Sequence, residues 1–145
     1  MSNKVLIDTG FWFALYFPRD QYHEQALELF DLISINASIL IPWPTLYETL
    51  NTRFVKQKDV MRKFEKVLYN SETLLIDDKY LKDNALEAIF SDRFIFTRPK
   101  VSLVDAYIRE IIADESFKID YLFTFNPDDF RDICAYRKIT ILPES

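Results

Sequence analysis

Five short apolar runs separated by amphipathic segments constrain this chain more than any other feature. Lys4 to Asp8, Ser38 to Ile41, Thr73 to Ile76, Tyr121 to Thr124 and Ile139 to Leu142 have the length and composition of strands. Between them, His23 to Ile33 sets Ala26, Leu29, Phe30 and Ile33 on one face at helical spacing. Thr45 starts a helix with Leu46, Leu50 and Phe54 on its apolar side, and Asp59 to Tyr69, Asp78 to Phe90 and Ser102 to Glu115 read as further helices. The first run leads through Asp8 or Thr9, either of which can act as a cap, into a helix beginning near Phe11. Strands that alternate with helices predict the α/β class: a three-layer α/β/α sandwich around a central parallel sheet of four to five strands. In such a sheet the ligand crevice lies beyond the C-terminal strand ends.

Composition narrows the chemistry. With 145 residues, 49% of them hydrophobic, the chain is expected to form one domain over residues 1–145, burying roughly two-thirds of its unfolded surface. Its apolar stretches fall short of the roughly 18 to 20 residues of a membrane span, and the N-terminus has no secretory pattern, so a cytoplasmic location is expected. Cys134 is alone and can form neither an internal disulfide nor a multi-thiolate zinc site, which leaves it as a small core residue. A single histidine, His23, disfavours histidine-rich zinc sites, and a single glycine excludes a Gly-rich phosphate loop.

Four acids stand where a parallel sheet would bring them together. Asp8 ends the first strand, Glu48 and Asp105 lie at helix starts, and Asp129 follows the fourth strand in Asn126-Pro127-Asp128-Asp129. Each has a plain alternative. Thr45 to Glu48 and Ser102 to Asp105 both match the capping-box spacing, in which the acid folds back onto the N-cap amide, and Asp129 can sit in a turn. Taken together the acids say more, because two carboxylates ~4 Å apart repel by about 4 kcal/mol at an effective dielectric near 20. Such a cluster calls for a cation, and oxygen-only donors suit Mg²⁺ or Mn²⁺, which lower the pKa of a bound water toward neutrality. Two such ions would bring the formal charge from −5 to −1 and turn a phosphate-repelling site into an attracting one.

At these residues the chain resembles the PIN domains, and among them the small VapC-like toxin nucleases of bacterial VapBC toxin–antitoxin pairs. The resemblance spans nearly the whole chain: the opening strand with Asp8, Ala14-Leu15, the His23 to Ala26 helix, the passage to Glu48, Leu103-Val104-Asp105-Ala106, and Leu122-Phe123-Thr124 followed by Asp129-Phe130. It implies a metal-dependent endoribonuclease in which Asp8, Glu48 and Asp105 bind Mg²⁺ or Mn²⁺, Asp129 joins them as a catalytic acid, and Thr9 and Thr124 support them with hydroxyls. Where many members carry a fourth aspartate two residues after the threonine, this chain has Asn126. Asn126 or Asp129 then shapes the second metal position, Asn126 through an uncharged carbonyl. The resemblance also implies an RNA substrate, a cognate antitoxin lying across the site, and a homodimer.

Two surface features bear on partners. From Arg53 to Lys66 six basic residues face two acids for a local charge of +4. Arg53, Lys56, Arg62 and Lys63 are candidates for gripping RNA phosphates, the alternative being a solvated helical face. Arg98, Lys100, Arg131 and Arg137 have less to recommend them. Aromatics make up 16% of the chain, more than one small core hides, and Phe11-Trp12-Phe13 and Phe94-Ile95-Phe96 are the expected sources of a partner surface. Two other functions compete with the nuclease: a catalytically silent PIN-like module that binds RNA or protein, and a phosphohydrolase of small esters. The second is disfavoured by the lack of a Gly-rich loop and of an Asp-x-Asp pair after the first strand. Asp8-Thr9-Gly10 copies the aspartic-protease triplet, but the Phe-Trp-Phe helix behind it does not belong to that β-rich class.

Overall fold

The structure, a computed structural model, describes residues 2–33, 36–92 and 100–144. Phe94-Ile95-Phe96 and Arg98 lie outside the described residues. Five strands, β1 (Asn3–Ile7), β2 (Ala37–Pro42), β3 (Thr73–Ile76), β4 (Tyr121–Phe123) and β5 (Thr140–Leu142), form one sheet in the order β3-β2-β1-β4-β5. Every pairing is parallel. The helices are α1 (Thr9–Tyr16), α2 (His23–Ile33), α3 (Trp43–Thr49), α4 (Thr52–Val55), α5 (Lys58–Leu68), α6 (Lys82–Asp92), α7 (Leu103–Ala113) and α8 (Arg131–Arg137).

Strand periodicity divides the interior into two cores. Val5 and Ile7, Ile39 and Ile41, and Phe123 point to one face, where residues of α1 to α5 cover them. Leu6, Leu40 and Leu122 point to the other, beneath Ala85, the apolar side of α7, Phe130 and Cys134. Both faces are covered, so β1 reads as an unbroken apolar run whose Val5, Leu6 and Ile7 are fully buried. Cys134 is a buried core residue, as expected, and burial pushes its thiol up to about 12.

Three local expectations are corrected. The Phe11-Trp12-Phe13 run is not a partner surface: Phe11 and Trp12 are fully buried and Phe13 is half-buried. Trp12 meets Phe64 edge-on at 5.0 Å, and Phe54 lies 5.3 Å from Phe64 and 5.6 Å from Phe13. Pairs of this kind each contribute about 0.5 to 1.5 kcal/mol beyond area burial, so α1 is an aromatic wedge between the sheet and α4–α5. Among the described residues, the exposed aromatics are instead Trp43, Tyr47, Tyr69, Tyr80, Phe90 and Tyr136. Next, α3 starts at Trp43 rather than at Thr45, because Pro44 is tolerated in a first turn whose amides have no partner anyway. Finally, α6 starts at Lys82, since Asp77 accepts the Lys79 amide and holds the intervening residues in a turn.

Candidate active site

The order β3-β2-β1-β4-β5 places β1 at the centre; the chain leaves it for β2 and β3 on one side and then crosses to β4 and β5 on the other. The space beyond the ends of β1 and β4 is therefore the switch point at which doubly wound sheets open a crevice. Asp8 stands at the end of β1 as the N-cap of α1, and Thr124 follows the last residue of β4. Their side chains meet: Thr124 Oγ1 donates to Asp8 Oδ2 at 2.9 Å, while the Thr9 amide donates to Asp8 Oδ1 at 2.7 Å. Thr124 Oγ1 also accepts the Asn126 amide at 3.0 Å, which fixes its own proton on Asp8. Asp8 is 6% exposed. Burial holds its carboxyl above the usual range against the two hydrogen bonds, and the charges of Glu48 and Asp129 add to the rise.

Glu48 reaches the same place from α3. Because that helix begins at Trp43, Glu48 falls in its second turn rather than its first, and the capping-box alternative does not apply. Thr45 turns its hydroxyl back onto the Pro42 carbonyl at 2.7 Å, leaving Glu48 Oε1 to accept from Thr9 Oγ1 at 2.8 Å. Thr9 thus links two of the acids through its backbone amide and its hydroxyl. At the other pair the capping reading holds in part: Ser102 is the N-cap of α7 and accepts the Asp105 amide at 3.1 Å. The Asp105 carboxyl is pushed up to about 7, first by burial and then by the negative charges of Asp8, Asp129 and Glu48, with Ser102 acting the other way.

Each of the four acids therefore takes part in one mutually repelling set. Asp129 belongs to it and its neighbour Asp128 does not: Asp128 is exposed and pairs with Arg131 at 2.7 Å. Asn126 is exposed at the mouth of the same turn. Among the described residues no three His, Cys, Asp or Glu side chains already stand as a cluster that could hold a metal ion. The donor chemistry nevertheless fits a hard divalent cation, being all oxygen and short of positive charge. His23 takes no part; its Nδ1 donates to the Ala14 carbonyl at 2.7 Å and ties α2 to α1.

The basic stretch presents exposed side chains, with Arg53 on α4, Lys56 at its C-cap, and Arg62 and Lys63 on α5. The Arg53 guanidinium lies 4.4 Å over the Phe17 ring. Arg137 bonds the Ile112 carbonyl at 3.3 Å and faces Glu115. Two polar residues of the neighbourhood escaped the sequence reading, Arg109 and Asp132. The only signal available was spacing: Arg109 lies one helical turn after Asp105, and Asp132 three residues after Asp129.

No family model matches the chain, and no curated protein does either. Among solved structures, the chain superposes on Mycobacterium tuberculosis VapC20, described as a sarcin-ricin loop cleaving toxin, with a TM-score of 0.66. The match covers 88% of this chain and 94% of that one at 20% identity. The chain has a PIN-like fold. This bears out the α/β/α architecture and the likeness to VapC toxins expected from the order of the acids. In this fold the four acids come from separate segments: Asp8 from the end of β1, Glu48 from the second turn of α3, Asp105 from the first turn of α7 and Asp129 from the turn after β4.

Proposed function

We propose that the chain is a divalent-metal-dependent endoribonuclease that hydrolyses RNA phosphodiester bonds, acting in the cytoplasm as the toxin of a toxin–antitoxin pair. The observation that carries this reading is the set of four mutually repelling carboxylates at the switch point of a PIN-like sheet. Superposition on a toxin described as cleaving the sarcin-ricin loop supports RNA as the substrate class.

Asp8, Glu48, Asp105 and Asp129 are the residues that would hold Mg²⁺ or Mn²⁺, with Asn126 beside the second position. A bound divalent ion supplies positive charge toward phosphate oxygens and acidifies water at neutral pH. The protein's own part is positional. Thr124 holds one Asp8 oxygen and the Thr9 amide the other, so this carboxylate is fixed in a single orientation. Thr9 does the same for Glu48. Such preorganisation spares reorganisation during the reaction. Arg53, Lys56, Arg62 and Lys63 would hold phosphates flanking the cut, and a cognate antitoxin and a second copy of the chain are the expected partners. The exposed Trp43 and Tyr47, 6.3 Å apart on the helix that carries Glu48, are the aromatics best placed for such contacts.

A second reading, a catalytically silent module that binds RNA or protein, is favoured by Asn126 and by the absence of a ready ligand cluster among the described residues. The test is cleavage of a structured RNA by wild type and Asp8→Asn with Mg²⁺, with Mn²⁺ and with chelator. The nuclease reading expects metal-dependent cleavage that Asp8→Asn abolishes. Chelator-insensitive RNA binding without cleavage selects the module instead.

A further inference from the structure

We infer that Arg109 is a positioning residue that fixes the fourth carboxylate, Asp129, relative to the third, Asp105; the inference rests on the metal-site reading above. Asp105 and Arg109 are one turn apart on α7, hence on the same side of that helix. The Arg109 side chain is only 16% exposed. Its Nη1 donates to the backbone carbonyl of Asp129 at 2.8 Å and to Asp132 Oδ1 at 2.7 Å, and its Nη2 donates to Asp132 Oδ2 at 2.7 Å. One planar fork thus clamps the turn that carries Asp129 and the first turn of α8 to the helix that carries Asp105.

The turn needs such a clamp. Asp129 ends a three-residue 3₁₀ turn, Pro127–Asp129, and its amide reaches the Asn126 carbonyl at a long 3.3 Å. The Phe130 amide closes the turn on the Pro127 carbonyl at 3.0 Å, so the Asp129 carbonyl itself is held to α7 by Arg109, against the repulsion between Asp105 and Asp129. The ion pair with Asp132 does not account for the whole arrangement, because it uses one proton of each Nη and leaves the second Nη1 proton for the Asp129 carbonyl. Holding the Asp129 backbone in place is a task that needs both halves of the fork: Asp132 sets the guanidinium plane, and the remaining Nη1 proton meets the carbonyl. A lysine ammonium cannot copy this geometry.

The experiment is calorimetric titration of Mn²⁺ into the intact chain, comparing wild type, Arg109→Met, Arg109→Lys, Asp132→Asn, Asp129→Asn and the double variant Arg109→Met with Asp129→Asn. Residues that orient metal ligands typically cost about 10- to 100-fold in metal affinity. We expect about a tenfold loss in Arg109→Met, no rescue by Arg109→Lys, and a smaller loss in Asp132→Asn, which keeps the shape and weakens the fork. The deciding result is coupling: the double variant should bind no more weakly than Asp129→Asn alone, which a general loss of stability would not produce. Additive losses in the double variant, or unchanged affinity in Arg109→Met, overturn the inference. Should Arg109→Met fail to fold, unchanged affinity in Asp132→Asn overturns it equally. Wild type that takes up no Mn²⁺ overturns the metal-site reading, and this inference with it.

Discussion

Asp8 gathers the tension of the site in one side chain: it is buried at the end of the central strand, holds two hydrogen bonds, and faces the charges of Glu48 and Asp129. Removing the charge while keeping the shape should relieve burial and repulsion together. Asp8→Asn is therefore expected to melt higher than wild type in chelator at pH 8, by about 3 °C for each 1 kcal/mol relieved, and a lower melting point would contradict the electrostatic picture. Asp105 supplies a pH dependence. Its folded pKa of about 7 lies above its ordinary value of 3.8, so the folded state binds the proton more tightly than the unfolded one. The stability this contributes is complete below about pH 4 and is lost as pH rises through about 7. Metal-free wild type should thus weaken across that window in urea titrations, and Asp105→Asn should flatten the slope. Asp132 has the opposite sign: Arg109 holds its carboxyl below the usual range, so that stability is present above the ordinary carboxylate pKa and is lost in stronger acid.

Each helix start carries its own instructions, and the two capping-box matches show how far a sequence reveals them. Ser102 caps α7, and Ser102→Ala should destabilise the chain by about 1 kcal/mol in denaturant titrations. Thr45 does not cap α3: Trp43 and Pro44 open the helix two residues earlier, so the same four-residue spacing places Glu48 in the second turn and frees it for Thr9. Spacing alone cannot separate the two cases, because the deciding residues lie before the motif. The strands and α2 were legible because apolar period and chain order determine them, and the influence of Asp8, Glu48 and Asp129 on Asp105 agrees with the expected meeting of the acids. The fate of Phe11-Trp12-Phe13 was not, since burial of a short aromatic helix depends on Phe54 and Phe64, which approach only in the folded chain. Likewise Asp128 and Asp129 are equivalent in sequence, yet in the fold Asp128 pairs with Arg131 while the charge of Asp129 acts on Asp105.

Across the whole molecule, the net charge of −5 means that RNA, the proposed substrate, would be bound through local fields. The exposed cations of α4 and α5 provide one such field, and metal at the four acids would provide another. If Lys56, Arg62 and Lys63 each meet a phosphate, alanine at any one of them should weaken RNA binding and reduce the slope of log affinity against log salt by about 1. An unchanged slope would place the RNA elsewhere. The central claim, that the carboxylates at the switch point form a divalent-metal site, is tested most directly by thermal melting of wild type and Asp8→Asn across a Mn²⁺ titration. The account predicts that wild type, the less stable of the two without metal, rises with Mn²⁺ while Asp8→Asn stays level, so that the two curves converge or cross. Two flat curves, or a Mn²⁺ response that survives in Asp8→Asn, would contradict it.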